Sequence, residues 1–244
     1  MGLIFDRDSS KLYESWTKSK HGRVIDKMVE ECVFTLLDPK PGERVLDIGC
    51  GDGNHLLMFN RLGLDISGID ASDYMISRAR ERLGKKCTLK TGMAEDLPFD
   101  DNEFDIAVLI NTLEFLDDPM DALIEAGRVA RRKIFVGVLN SLSWFGVNKR
   151  FHGYFSKSIF RNIRFYSLWE LKSYMKRAFG EVPIQWRCAR VNPPFLTGTG
   201  TTSSEGGRFS RCPFGSFLGL SATMQYRLRT EQHPLEVTLG RIGV

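Results

Sequence analysis

No apolar run in the chain approaches the roughly 18 residues that would span a bilayer, and a mean hydropathy of −0.20 agrees, so no membrane-spanning helix is expected. Cysteine is scarce and badly arranged for chemistry. The five thiols (Cys32, Cys50, Cys87, Cys188, Cys212) are odd in number, scattered and never spaced as CxxC. That pattern points to reduced thiols and argues against a disulfide scaffold, a zinc centre or a redox pair. The four histidines (His21, His55, His152, His233) form no HxxxH or HExxH pair, so a metal-dependent mechanism has no ligands to stand on. The opening MGLIFDRDSSKLYESW carries acids early and no long apolar stretch, and Asp6 breaks the myristoylation pattern that Met1 and Gly2 begin. A secretory signal is therefore not expected, and the cytoplasm is the expected compartment.

A strong excess of one charge is also missing. The formal net charge is +4, too mild to declare a nucleic-acid binder. Its distribution is uneven, with fourteen Lys or Arg against two acids, Glu170 and Glu181, between Arg128 and Arg190. Such a run is either a surface for an anionic ligand or a solvated basic face.

What is present is an ordinary globular composition, 42% hydrophobic and 26% charged over 244 residues, enough for one large α/β domain with a sizeable core. Between residues 9 and 37, Val24, Ile25, Met28, Val29, Cys32, Val33, Leu36 and Leu37 recur at helical spacing up to the turn DPKPGE. Short β-branched runs then alternate with amphipathic stretches. ERVLDIG, LDISGID, KCTLKTG, FDIAVLI and RKIFVGVLN read as strands; NHLLMFNRLG, ASDYMISRARERLG and DPMDALIEAGRVAR read as the helices between them. Strands apolar on both faces that alternate with helices mean a parallel sheet covered on both sides. Near the C-terminus the pattern changes. Ser167 and Glu170 make a capping box for the helix SLWELKSYMKRAFG, and the strands EVPIQWRCAR and GSFLGLSATMQYRLR follow with no helix between them, which favours antiparallel pairing. Two long connections, 140–166 and 192–215, leave the carboxyl ends of strands, where open α/β sheets bind ligands, and are expected to converge over one site. The second has 15 of 24 residues as Gly, Pro, Ser or Thr, so disorder is the competing reading.

The strongest chemical signal is VLDIGCGDG, residues 45–53. Gly49, Gly51 and Gly53 lie where a strand turns into a helix, and absent side chains let the backbone pass close against a ligand while positive φ stays cheap. Seventeen residues past Gly53, at the end of the next strand, stands Asp70. A carboxylate there offers acceptors to both hydroxyls of a ribose, so a nucleoside cofactor is implied. Dinucleotide folds also place glycines and an acid in this order. Here the spacing is GxGxG, with Asp47 two residues before the first glycine. An acid at that point repels a pyrophosphate and attracts a cation such as a sulfonium, which tilts the reading toward S-adenosylmethionine (SAM).

VLDIGCGDG, GIDAS and GMAEDLPFDDNEFDIAVLINTLEFLDDP, in that order, resemble the class I SAM-dependent methyltransferases, closest to the type 11 branch that includes quinone-biosynthesis and malonyl-carrier methyltransferases. The resemblance covers about residues 10–180. It implies a Rossmann-like, mostly parallel sheet of seven strands in the order 3-2-1-4-5-7-6, strand 7 antiparallel, with helices on both faces. It further implies that Asp47, Gly49, Cys50 and Gly51 surround the methionine part of SAM and that Asp70 takes the ribose. Ala71 and Met75 would flank adenine with Met93, Ala94 and Glu95 at its rim, and Asn111 would lie under the sulfonium. Relatives often carry Asp where Met93 stands, so the usual bond to the adenine amino group is absent or comes from backbone. The segment with Tyr13 and Trp16 also looks like this branch, where such a segment folds over the cofactor.

One domain is expected over 1–244, with an N-terminal helical cap (9–37), the two insertions on the substrate side and a tail (230–244). Methyl transfer requires nucleophile, methyl and sulfur to be held collinear and dry, with a base only for a reluctant acceptor. No catalytic residue is therefore assigned; Glu114, Tyr154 and Tyr166 are candidates to orient or deprotonate an acceptor, with packing as the competing reading. Residues 144–169 mix seven Phe or Tyr with Lys and Arg, which suits a small acceptor of anionic or apolar character better than nucleic acid. The chain is expected to act as a monomer or homodimer. Two alternatives stand beside the methyltransferase: a non-catalytic SAM-binding protein and an NAD-type oxidoreductase.

Overall fold

The structure is a computed structural model that describes residues 4–143, 164–189, 209–210 and 212–224, without the side chains of 16, 20, 21, 25, 209 and 210. The helices are α1 (Arg7–Lys18), α2 (Lys20–Leu37), α3 (Asn54–Arg61), α4 (Asp73–Leu83), α5 (Pro119–Val129) and α6 (Leu168–Phe179). The strands are β1 (Arg44–Ile48), β2 (Asp65–Asp70), β3 (Cys87–Thr91), β4 (Phe104–Ile110), β5 (Ala130–Leu139), β6 (Ile184–Ala189), β7 (Phe209–Ser210) and β8 (Phe217–Thr223).

Local chemistry explains the boundaries. The helical pattern of residues 9–37 is broken at Ser19, whose hydroxyl accepts from the Gly22 amide at 3.0 Å and starts α2 afresh. Ser72 caps α4, Asp118 caps α5 with Pro119 in the first turn, and Ser167 and Glu170 form the reciprocal box on α6.

All strands lie in one sheet, ordered β3-β2-β1-β4-β5-β8-β6-β7. β1 to β5 pair in parallel, and β8 runs antiparallel between β5 and β6. The seven long strands thus follow the expected 3-2-1-4-5-7-6 order. β7 is an addition: residues 209–210, read from sequence as loop, pair antiparallel with Cys188 and Ala189 at the sheet edge. Two residues are too few to show a period, so the sequence carried no signal for it.

The sheet is buried on both faces. Along β4, Ile106, Val108 and Ile110 pack with α2, α3 and α4, while Ala107 and Leu109 pack with α5 and α6. α2 buries Met28, Val29, Cys32, Val33, Leu36 and Leu37 against the sheet, and α1 lies beside its first turns. At the carboxyl end of β5, Asn140 donates to the carbonyls of Pro213 and Gly215 at 2.7 Å each, so the bases of the two long connections meet. Most of both connections and the 230–244 tail lie outside the described residues.

The start of the basic run is structural. Arg128 bridges Glu125 and Asp101, Arg131 pairs with Asp105 and Arg132 with Glu43, while Lys133 donates to the last carbonyls of α2. These four cations sit at the amino-terminal edge of the strands or the end of α5, away from the carboxyl ends, and serve ion pairs and a helix terminus.

Candidate active site

A cavity of about 280 Å³ opens where β1, β2 and β4 end, at the point where the strand order reverses. The bend after β1 is pinned from outside: the amides of Gly49 and Cys50 both donate to the Ile69 carbonyl, at 2.8 and 3.0 Å. Gly49 has φ +76°, and a side chain there would collide with Thr112, whose hydroxyl is tied to the Ile48 carbonyl at 2.9 Å. Gly51 also has positive φ, +53°, yet a Cβ there would meet open space. Glycine at 49 is required by packing, and at 51 the bend leaves room for a ligand.

Asp70 lies across from this bend. The Gly51 amide donates to its Oδ2 and the Ser72 amide to its Oδ1, each at 2.9 Å. Burial raises its pKa, and those two amides oppose the rise. Each carboxylate oxygen keeps a further lone pair for a ligand hydroxyl. Asp47 is different. It is fully buried on the β1 face shared with Val45, neither oxygen has a hydrogen-bond partner among the described residues, and burial together with Asp70 pushes its pKa to about 8. It does not line the cavity wall.

Gly49, Cys50, Gly51, Asp70, Ala71, Met75, Met93, Ala94 and Asn111, all read from the sequence, line the cavity together. Met75 and Ala94 are buried, and Met93 is half-buried. Asn111 follows β4 with a left-handed backbone (φ +53°), held by its amide on the Gly137 carbonyl, and its Oδ1 is buried without a partner. That posture costs about 1–2 kcal/mol for a non-glycine residue, which marks the position as constrained. Glu95 also lines the cavity and leaves Oε2 buried and unpartnered.

The chain's beginning covers the cavity. The Phe5 carbonyl accepts from the Ser72 hydroxyl at 2.5 Å, and the Phe5 ring packs edge-on against Tyr13 and Phe115, with centroids 5.6 and 5.0 Å away. All three rings line the cavity. The Trp16 side chain lies outside the described residues, as does Tyr154.

Glu114 and Tyr166 point elsewhere. Glu114 is buried and accepts from the Leu139 amide at 2.7 Å, with burial lifting its pKa to about 7; Tyr166 donates to the Leu113 carbonyl at 3.1 Å. Neither lines the cavity, and both stitch the turn after β4 to the end of β5.

Asp26 and His55 line the cavity and were not read from the sequence as site residues. A signal for Asp26 existed. It stands three residues before Val29 and seven before Val33, on the stripe that α2 turns to the core, where a solvated acid has no place. His55 follows the glycine bend in the first turn of α3; its Nε2 is buried without a partner, and burial lowers its pKa to about 4.

Residues 46–135 match the family described as methyltransferase domain. An uncharacterized protein of Methanocaldococcus jannaschii is 34% identical over 146 residues, 59% of this chain and 64% of that protein, so the chain spans less than two thirds of this relative. Among solved structures, a SAM-dependent methyltransferase of Thermotoga maritima, described as a possible histamine N-methyltransferase, shares 24% identity with a TM-score of 0.68, covering 87% of this chain and 94% of that one. The magnesium protoporphyrin IX methyltransferase of Synechocystis, solved with S-adenosylhomocysteine (SAH) bound, shares 16% identity with a TM-score of 0.64, covering 91% and 96%. The strand order, the glycine bend facing Asp70 and the match over residues 46–135 agree: the fold is the one these methyltransferase structures share, and the matched stretch is similar to the methyltransferase domain.

Proposed function

We propose that this chain transfers a methyl group from SAM to a small-molecule acceptor. The observation that carries the reading is the cavity itself, with glycines at 49 and 51 of the bend and the Asp70 carboxylate on one crevice. Asp70 would hold the ribose hydroxyls, Ala71, Met75, Met93 and Ala94 the adenine with Glu95 at its rim, and Gly49, Cys50 and Gly51 the methionine part. Asn111 would lie under the sulfonium. Asp47 fits a cationic ligand portion, because two buried, unpartnered carboxylate oxygens behind the bend favour positive charge and N–H donors. When bound, SAM supplies a methyl group already activated on a sulfonium. The chain's own part is to hold, orient and keep dry, and the Phe5, Tyr13 and Phe115 rings supply an apolar cover with a face suited to a cation.

The dinucleotide alternative is disfavoured by the GxGxG spacing of Gly49, Gly51 and Gly53, which is not the GxGxxG of dinucleotide folds. The non-catalytic alternative expects a blocked acceptor space, whereas described side chains leave the cavity open. Among the described residues no helix is long and apolar enough to cross a membrane. The five cysteines, odd in number and never spaced as CxxC, support a cytoplasmic setting, where the chain would act as a monomer or homodimer.

Calorimetry of the full chain with SAM, SAH and NAD tests the cofactor. SAM and SAH should bind and NAD should not; the reverse order of preference refutes the reading. Release of SAH from SAM in the presence of a metabolite panel then separates the enzyme from a non-catalytic binder.

A further inference from the structure

The charged groups around the cavity can be taken one at a time. Glu14 is satisfied by Lys18 at 2.7 Å and Arg78 at 3.5 Å. Asp52 is paired with Arg82 at 2.5 Å, and Asp70 holds two backbone amides. Arg23, one helical turn before Asp26, donates to the Lys18 carbonyl instead. Two carboxylates are left over: Glu95, which leaves Oε2 unpartnered beside Met93 and Ala94, and Asp26, half-buried on the wall next to Tyr13 and Asp52 with no hydrogen bond or ion pair among the described residues.

We infer that the acceptor carries an amine and that Asp26 recognises its cationic nitrogen as a binding handle. The inference rests on the methyltransferase reading of the same cavity and adds the chemical class of its second ligand. An unpaired carboxylate in a partly desolvated wall is stabilised by a ligand that brings both positive charge and N–H donors. An anionic acceptor would meet like charge from Asp26 and from Asp52 behind it. Tyr13 faces the same two carboxylates, which with burial hold its hydroxyl in the protonated form, so a neutral hydrogen-bonding group adjoins the site. The neighbouring apolar wall of Phe5, Phe115 and Leu116 suits the body of a small aromatic or aliphatic amine. The cations at the start of the basic run are engaged in ion pairs and a helix terminus and do not line this cavity.

The test uses two matched probes, phenethylamine and phenylacetate, titrated by calorimetry into the full-length protein saturated with SAH. Phenethylamine should bind at least tenfold more tightly than phenylacetate. Asp26→Asn should remove that preference while SAH affinity stays within twofold. A second measurement needs no variant. Burial and Asp52 raise the Asp26 pKa to about 6 against the opposing pull of Arg82, so wild-type affinity for phenethylamine should fall as pH is lowered from 7.5 to 5. Asp52 on the loop after β1, Arg82 on α4 and Tyr13 on α1 are the groups that face Asp26 in that titration. Equal or absent binding of the two probes overturns the inference. So does an Asp26→Asn variant that loses SAH tenfold, which would make Asp26 part of the cofactor site. Failure of the wild type to bind SAH overturns the methyltransferase reading as well, so the two failures are distinguishable.

Discussion

The Gly51 amide donates to Oδ2 of Asp70 at 2.9 Å, joining residues 19 apart in sequence across the crevice between β1 and β2. The contact sets the separation of the glycine bend and the carboxylate before any ligand arrives. It also means that Asp70 has a structural duty besides the one proposed for it.

If Asp70 holds the ribose as proposed, Asp70→Ala removes a charged acceptor of two ligand hydroxyl bonds, each worth about 1.5–3 kcal/mol, and SAH affinity should fall at least tenfold. Asp70→Asn keeps one oxygen for the Gly51 or Ser72 amide and should fold more readily than the alanine variant. Calorimetry with circular dichroism as the folding control reads both effects; a folded alanine variant with wild-type affinity defeats the ribose assignment.

The two glycines should part company on substitution to alanine. Gly49→Ala combines a left-handed backbone with a collision against Thr112, costing about 1–2 kcal/mol for the first and about 1–3 for the second. Gly51→Ala carries only the backbone cost, because its Cβ meets open space. Its stability should change by about 1–2 kcal/mol, while SAH affinity drops more than tenfold as the methyl enters the cavity. Thermal unfolding and calorimetry separate the pair, and a Gly51→Ala protein that binds SAH normally would place the ligand elsewhere.

Asp47 gives a pH signature. Its folded pKa is raised to about 8 from an ordinary 3.8, so between those values the folded state keeps a proton that the unfolded state has released. Stability must then decline as pH rises through that window, and the effect vanishes below the lower value. Asp47→Asn should melt higher than wild type at pH 8 and equally at pH 3.5, while binding SAM more weakly. Melting curves at the two pH values check the sign; a variant less stable than wild type at pH 8 contradicts it.

Arg128 should matter for the fold and not for the ligand. Its guanidinium donates to the Phe99 and Leu97 carbonyls at 2.7 and 2.9 Å besides its carboxylate partners. Arg128→Ala should lose about 1–3 kcal/mol in urea unfolding, with SAH affinity within twofold of wild type. A selective loss of binding in a stable variant would return the basic run to the active site.

The sequence by itself determined the layer architecture and the glycine bend and carboxylate that meet in the cavity. Both follow from interactions between near neighbours in the chain: a run such as FDIAVLI can only be a strand buried on two faces, and a glycine bend followed by an acid at the next strand's end is a local pattern repeated along βαβ units. Tertiary structure alone decided the rest. The two-residue strand at 209–210 exists because Cys188 and Ala189 offer it an edge, not because its residues favour one. Arg128, Arg131 and Arg132 changed from a surface charge run to ion-paired anchors once α5 and β5 brought them to Asp101, Asp105 and Glu43. Asp26 became a wall of the cavity only when α2 was laid across the sheet beside α1, because the environment of a carboxylate is set by groups distant in sequence, and a local pattern carries no record of them.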